Sequence, residues 1–298
     1  MNQLVTVIIT TYQRSLRIVD RAIKSILTQT YSNLELIVVD DSPKEYEERS
    51  LIKQYIETID DPRIRLIQHD KNQGACAARN TGIRNSNGKY IAFLDDDDSW
   101  HPDKLEKQMV KMQSGDYGLV YCRQHVINEI NHSSYDPLKE YFEGKVFDKL
   151  ILTNFIGSTS FALIKRECFD EVGMFDLKMP ASQDLEMWLR IAQKYKVGFV
   201  DEPLVDYYIH EGESITGNYS KKLTAIEMLL AKYKTYFDEH PYERSIRYLK
   251  AAPYYAVCNK YKKALKHYCG GVISAPSNFY NNIEYFAKLI RAIVRKTV

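Results

Sequence analysis

The sequence predicts an α/β fold with a doubly wound sheet, and three observations support this prediction. Apolar runs of strand length alternate with segments of helical spacing, the links between them are short, and the alternation repeats at least three times. The second apolar run, residues 34–40, is continuous, which is typical of a parallel strand covered on both faces. The 298 residues allow one large α/β domain with an appendage, or two domains.

The first third of the chain gives the clearest sequence of elements. Runs of β-branched and apolar residues predict strands, and apolar residues three or four apart predict the helices between them. Pro102 occupies the place of a first helical turn, where proline is favoured. The predicted strands cover residues 4–10, 34–40, 64–68 and 89–94. The predicted helices cover residues 15–29, 45–59, 74–86 and 102–112.

The middle of the chain is more mixed and its end is helical. Strands are predicted at 118–122 and 155–164, with an irregular stretch at 123–150 between them. A helix is predicted at 182–195, followed by two short strands around Pro203. From about residue 218 the sequence becomes helical and basic. We therefore expect two domains, 1–217 and 218–298.

Composition excludes several classes of protein. The net charge of +2 gives no global field that would favour nucleic acid. The five cysteines are odd in number and form no CxxC pair, which favours reduced thiols over a disulfide framework or a zinc site. The first residues lack the features of a signal peptide, and no apolar run reaches the ~18 residues of a spanning helix. We therefore expect a cytoplasmic catalytic domain.

Polar or acidic residues follow three of the predicted strands, at Thr10–Thr11, Asp40–Asp41 and Asp95–Asp98. Ligands of doubly wound sheets bind at the carboxyl ends of the strands, so this placement indicates a site. Four adjacent carboxylates repel one another unless water, basic groups or a metal ion offset the charge. The aspartates could form a solvated turn, or a Mg²⁺ or Mn²⁺ site that receives a phosphate.

Four single residues each allow a structural and a functional interpretation. Asp41 suits a turn or helix cap, and the alternative is a hydrogen bond to a nucleobase or ribose. Arg79 lies in a helix rich in small residues and could brace the aspartates or meet a diphosphate. Asp184 could cap its helix or act as a general base. His210 could be structural or could complete a metal site.

The C-terminal segment 283–298 has apolar residues along one side and basic residues elsewhere. Such a helix could pack on its own domain. It could instead lie on an anionic membrane surface. Both interpretations remain open at the level of sequence.

Taken in order, five segments resemble family-2 glycosyltransferases of the GT-A fold. The resemblance covers about residues 4–212 and rests on VTVIITTYQR, LELIVVDDS, NQGACAARNTGI, GKYIAFLDDDD and QDLEMWLR. It implies a Rossmann-like mixed sheet with helices on both faces, to which this chain would add a C-terminal α-helical appendage. It also implies inverting transfer of a sugar from a nucleotide-diphosphate donor to a hydroxyl, with Mg²⁺ or Mn²⁺.

The resemblance assigns the donor pocket residue by residue. Thr10 and Asp41 match residues that hold the nucleobase and ribose, and Tyr12 and Arg14 flank the same pocket. We add Arg79 to the expected donor-binding residues as a partner of the diphosphate.

The resemblance also assigns the metal and the base. The family's DxD motif falls on Asp95–Asp96–Asp97, with Asp97 on the metal and Asp95 and Asp96 on the ribose side. His210 matches a position near the diphosphate and metal. Asp184 matches the catalytic base, although Gln183 precedes it where the family often has an acidic residue.

The resemblance further implies partners and a place in the cell. The default donor is a UDP-sugar, and the acceptor is a glycan or lipid-linked glycan of surface polysaccharide biosynthesis. The chain lacks the QxxRW motif of processive members. Peripheral contact with the inner face of the cell membrane and a homodimer are further expectations. The rival functions are a metal-dependent phosphohydrolase or nucleotidyltransferase, and a non-catalytic nucleotide-sugar-binding subunit.

Overall fold

The computed structural model describes residues 3–210 and 218–294. The strands are β1 Val5–Thr11, β2 Leu34–Asp40, β3 Ile64–Gln68, β4 Tyr90–Asp95, β5 Ser99–Trp100, β6 Tyr117–Asn128, β7 Ser133–Tyr135, β8 Ala162–Lys165 and β9 Lys196–Ile209. The helices are α1 Leu16–Leu27, α2 Glu47–Thr58, α3 Ala75–Arg84, α4 Lys104–Gln113, α5 Phe147–Leu150, α6 Arg166–Val172, α7 Gln183–Lys194, α8 Tyr219–Lys232, α9 Lys234–Glu239, α10 Pro241–Val257, α11 Tyr261–Ser274 and α12 Phe279–Val294.

The strands form one mixed sheet in the order β3-β2-β1-β4-β8-β6-β9-β5, and β7 pairs with β6. β3, β2, β1 and β4 run parallel, as their continuous apolar sequences predict. β8 then pairs antiparallel with both β4 and β6, whereas β6 and β9 are parallel. The sheet therefore changes from parallel to mixed directly beside β4, the strand that ends in the aspartates.

Helices cover both faces of the sheet because β1 is apolar on both sides. Val7 and Ile9 pack in the core with Val19 and Ile23 of α1. Ile8 points to the opposite face, where a Cβ on Gly82 of α3 would lie only 2.4 Å from its Cγ2. A glycine at this position therefore lets α3 lie close against the sheet.

The chain divides into two compact units. The first comprises residues 1–150, 154–177 and 187–211, and the second comprises 151–153, 178–186 and 212–298. In the second unit, α8, α10, α11 and α12 share a core of Leu223, Ala251, Tyr255, Ala264 and Leu289. The predicted helical character of the C-terminal region is confirmed, whereas the boundary at residue 218 stays a prediction. Within the described ranges, no helix is both long enough and apolar enough to cross a bilayer.

The prediction of a strand at 155–164 is largely wrong. Only Ala162–Lys165 is a strand, and a 3₁₀ turn at Thr159–Phe161 precedes it. Gly157 has a φ of +88°, and its amide donates to Asn154 Oδ1, so the chain turns here despite its apolar residues. Ser158 then caps the 3₁₀ turn by accepting from the amide of Ser160.

Two other boundaries differ from the prediction. Part of the stretch expected to be irregular, 123–150, is ordered, because β6 continues to Asn128 along β9 and β7 follows it. β9 is one strand rather than two, and its pairing with β6 shifts register where Arg123 meets Pro203. Proline lacks the amide that a ladder needs, so the irregularity falls at this residue without ending the strand.

Asn80 of α3 offers a test of how the first unit holds together. Its buried side chain donates to the carbonyl of Phe175 at 2.8 Å and accepts from the Phe175 amide at 2.9 Å. Asn80→Ala leaves both backbone groups without this partner, so we expect a loss of about 2–4 kcal/mol in the free energy of unfolding. Urea denaturation measures this loss. The exposed Gln113→Ala at the end of α4 is the control, with an expected change within about 0.5 kcal/mol.

Candidate active site

The parallel register brings the predicted polar clusters to one edge of the sheet. Thr10 at the end of β1 is the register partner of Asp95 in β4, and Thr11 is the partner of Asp40 in β2. The carboxyl ends of these strands therefore lie side by side, as the sequence pattern predicts. Tyr12, two residues beyond Thr10, leaves 45% of its surface exposed at this edge.

Asp95 is held by a cation and two hydroxyl groups. Arg79 Nη2 lies 3.0 Å from its Oδ1, Ser158 Oγ donates to its Oδ2 at 2.7 Å, and Thr159 Oγ1 donates to its Oδ1 at 3.1 Å. Desolvation acts to raise the pKa of Asp95, but Arg79 and these hydroxyls outweigh it and hold the pKa below its usual value. Asp95 is therefore an ionised carboxylate whose orientation is fixed by these three contacts.

Arg14 joins the next two aspartates. Its Nε lies 3.0 Å from Asp96 Oδ1, and its Nη2 lies 2.6 Å from Asp97 Oδ2. Burial raises the pKa of Asp96 to about 7, with a smaller contribution from the charge of Asp97 and against the opposing charge of Arg14. The Asp97 side chain is more exposed, at 23% against 8% for Asp96. Asp97 is thus the better placed of the two to meet a ligand.

Two further groups contact Asp97. His210 Nε2 lies 3.1 Å from its Oδ2. Arg21 of α1 donates to its backbone carbonyl at 2.6 Å and stacks 3.4 Å above the ring of Tyr208. Sequence reasoning missed Arg21, because a single arginine on the polar side of a helix carries no pattern that distinguishes it from a solvated one.

Asp98 differs from the other three aspartates because its side chain turns into the protein. It is 1% exposed, and Ser160 Oγ donates to its Oδ2 at 2.6 Å. Burial, with the negative charges of Asp95 and Asp97, places the pKa of Asp98 well above its usual range. The four aspartates in sequence therefore comprise three side chains held by cations and one buried carboxyl group, Asp98, held by a hydroxyl group.

The 3₁₀ turn is the second feature that sequence reasoning missed. Ser158, Thr159 and Ser160 all bond to the aspartates, and Ser160 Oγ also accepts from the Asp95 amide at 3.1 Å. The Trp100 indole donates to the Ser160 carbonyl at 3.0 Å and so helps to hold the turn in place. The only signal in the sequence was the run of three hydroxyl residues, inside a stretch predicted as a strand.

Asp41 is buried and holds a loop. Its Oδ1 accepts from the Gln73 amide at 2.8 Å, its Oδ2 accepts from the Gly74 amide at 2.7 Å, and His69 Nδ1 lies 2.7 Å from Oδ1. These bonds fix the entry to α3, the helix that carries Arg79. Its predicted contact with a nucleobase or ribose stays a prediction, as does the matching role of Thr10.

Asp184 lies in the first turn of α7, where Gln183 is the first helical residue. It belongs to the second compact unit, whereas the strand-end aspartates and His210 belong to the first. Its role as catalytic base stays a prediction.

Asp97 and His210 are the pair whose chemistry suits a divalent ion. A carboxylate oxygen and an imidazole nitrogen are both ligands of Mn²⁺, and they lie within 3.1 Å of one another here. Among residues 3–210 and 218–294, no group of three or more His, Cys, Asp or Glu side chains forms a metal cluster. Two protein ligands fit an ion that takes its remaining ligands from phosphate and water.

A substitution of Ser160 tests whether the hydrogen bonds of the 3₁₀ turn stabilise this site. Ser160→Ala removes a hydrogen bond from the buried Asp98 carboxyl and another from the Asp95 amide. We expect the free energy of unfolding to fall by about 1–3 kcal/mol, measured by urea denaturation. The exposed Ser50→Ala in α2 is the control. A loss below about 0.5 kcal/mol in the Ser160 variant would show that the turn does not depend on these bonds.

Comparisons with known proteins show the family and the fold of the chain. The model of the family described as "Glycosyl transferase family 2" matches residues 6–173. A protein of Escherichia coli (strain K12), named as the colanic acid biosynthesis glycosyl transferase WcaA, is 33% identical over 80% of this chain and 84% of its own length. An uncharacterized glycosyltransferase of Rickettsia conorii is 34% identical over 70% of this chain, which corresponds to 33% of the longer relative.

A solved structure shows the fold. The crystal structure of S. aureus TarS 1–349 in complex with UDP-GlcNAc superposes with a TM-score of 0.67, over 97% of this chain and 89% of that one, at 12% identity. The predicted GT-A fold with a C-terminal helical region is therefore confirmed. The family match covers more than half of the chain and includes the strand-end aspartates. The chain belongs to glycosyltransferase family 2.

Proposed function

We propose that this glycosyltransferase carries out metal-dependent, inverting transfer of a sugar from a nucleotide-diphosphate donor to a hydroxyl group. The observation that carries the proposal is the strand-end cluster, where Asp97 contacts Arg14 and His210 beside Asp95 and Arg79. The cluster combines carboxylates suited to a divalent ion with cations suited to a diphosphate. We propose residues 1–217 as the catalytic domain.

The cations of the cluster receive the charge of the leaving group. Arg14 and Arg79 each contact an aspartate at present, and each can exchange that carboxylate for a phosphate oxygen. Such groups stabilise negative charge as it develops on the nucleoside diphosphate. Asp97 and His210 would hold Mg²⁺ or Mn²⁺, which supplies further positive charge to the diphosphate when bound.

Asp184 is the proposed general base. It takes the proton of the acceptor hydroxyl while that oxygen bonds to the anomeric carbon and the bond to the diphosphate breaks. Attack from the face opposite the leaving group inverts the configuration at that carbon. Arg14 and Asp97 act on the leaving group, and Asp184 acts on the nucleophile.

We propose a UDP-sugar as donor and a glycan or lipid-linked glycan of surface polysaccharide biosynthesis as acceptor. The donor is supported by the similarity of the fold to TarS, whose structure contains UDP-GlcNAc. The acceptor class is supported by the similarity to WcaA, whose name assigns it to colanic acid biosynthesis. Synthesis at the inner face of the cell membrane follows from this acceptor.

Asp97→Ala tests the metal and diphosphate site. We expect nucleoside-diphosphate release from a UDP-sugar with Mn²⁺ to fall at least about a hundredfold, because Asp97 would supply the carboxylate ligand of the metal ion beside His210. EDTA should reduce the wild-type rate similarly. The exposed Asp116→Ala should keep the wild-type rate. Release of inorganic phosphate or pyrophosphate in place of the diphosphate would point to a phosphohydrolase or nucleotidyltransferase.

Asp184→Asn separates donor binding from transfer. The amide cannot accept the acceptor's proton, so we expect transfer to fall by about 10²–10⁴-fold. Donor binding, measured by thermal shift with UDP-sugar and Mn²⁺, should persist. The exposed Asp170→Asn is the control, and it should retain transfer. Unchanged transfer in the Asp184 variant would remove this residue from the mechanism. Binding without transfer in the wild type would instead indicate a non-catalytic subunit.

A further inference from the structure

Helix α11 has an apolar stripe along its outer side. Tyr261, Leu265, Tyr268 and Val272 follow one another at spacings of three or four residues, which places them on one face of the helix. Leu265 is 60% exposed and Tyr261 is 44% exposed. Residues this exposed do not belong to the core of the unit. An apolar stripe at the surface indicates an interaction site.

Helix α12 has a longer stripe of the same kind. Ile283, Phe286, Ile290 and Val294 are 54%, 49%, 43% and 51% exposed, and their spacing places them on one face. Leu289, on another side of the helix, is 4% exposed and belongs to the core of the second unit. α12 thus packs on its own unit through one side and presents a second apolar side outward.

A direct contact joins the two stripes. The rings of Tyr268 and Phe286 lie 5.4 Å apart, and the Tyr268 hydroxyl donates to the Asn282 carbonyl at 3.1 Å. Tyr268 is the middle of the α11 stripe and Phe286 belongs to the α12 stripe. The two stripes therefore form one surface, the α11–α12 apolar face. It consists of Leu265, Tyr268, Ile283, Phe286, Ile290 and Val294.

Positive charge lies beside this face. Lys262 and Lys266 are exposed next to Leu265 on α11, and Arg291 is exposed next to Ile290 on α12. The sequence of α11 has no acidic residue, and that of α12 has Glu284, which pairs with Lys288. An apolar centre with a cationic border is the chemistry of a helix that lies at the surface of an anionic bilayer.

We propose that the α11–α12 apolar face docks on an anionic lipid surface, with both helices lying in the plane of the interface. The apolar side chains enter the boundary of headgroups and acyl chains, and Lys262, Lys266 and Arg291 contact lipid phosphates. A second copy of the chain fits this face less well. In a symmetric pair the same patch meets itself, so its cationic borders would approach one another.

Vesicle flotation tests the proposal with the full chain and without donor, so the result does not depend on the proposed transferase chemistry. The wild type should bind vesicles of phosphatidylcholine mixed with phosphatidylglycerol and should not bind pure phosphatidylcholine. Binding should weaken as salt is added, because salt screens the charges. Ile283→Ser/Ile290→Ser should weaken binding about tenfold or more, and Lys262→Gln/Lys266→Gln about tenfold.

A matched control and a reporter make the test specific. Val110→Ser changes a 67% exposed apolar residue on α4 and should bind as the wild type does. Ile290→Trp adds an exposed indole to a chain whose two tryptophans are 4% and 0% exposed, so vesicles should shift its fluorescence to shorter wavelength. Circular dichroism confirms that each variant is folded.

Three results would overturn the proposal. The first is a folded wild type that does not bind anionic vesicles at low salt. The second is an equal loss of binding in Val110→Ser. The third is a dimer, detected by analytical ultracentrifugation, that Ile283→Ser/Ile290→Ser dissociates while vesicle binding is unchanged. That last result would assign the face to a second copy of the chain.

Discussion

The pairing of strand-end carboxylates with arginines is the constraint on which the site depends. Four adjacent aspartates at the end of β4 would repel one another. Arginines from two helices and a loop offset this negative charge. Arg14 lies just beyond β1, Arg21 is on α1 and Arg79 is on α3. The parallel register of β1 and β4 is what brings these segments within reach. The balance of charge in the site therefore depends on the order of the strands in the sheet.

Much of the first third of the fold could be predicted, because burial on both faces leaves a clear pattern. β1, β2, β3 and β4 lie within a residue of their predicted bounds, and the intervening helices within two or three. The stretch 155–164 could not be predicted, because its apolar residues resemble a strand while Gly157 and Ser158 form a turn. β9 resembled two strands, because the sequence shows Pro203 but not the partner strand that continues past it.

The resemblance assigned a role to each position of the candidate site, and those roles stay predictions, whereas the residue types alone do not distinguish the four aspartates. The sequence presents Asp95 to Asp98 as equivalent, and the structure separates them by burial and by partner. Asp98 turns inward to Ser160, while Asp97 stays accessible beside His210. Such differences depend on residues far away in the chain, so no local pattern contains them. Arg21 and the hydroxyls of the 3₁₀ turn were missed for the same reason.

The hydrogen bonds between Asn80 and Phe175 have a consequence for how the chain can change in length. Loops between helices usually tolerate insertions and deletions, since few contacts depend on their path. Here the segment after α6 is bonded to the side chain next to Arg79, and the Phe175 ring lies 5.6 Å from the Arg79 guanidinium. An added or missing residue between Gly173 and Phe175 would remove support from the arginine that holds Asp95. Homologous enzymes that keep this arrangement are therefore expected to hold this segment at constant length.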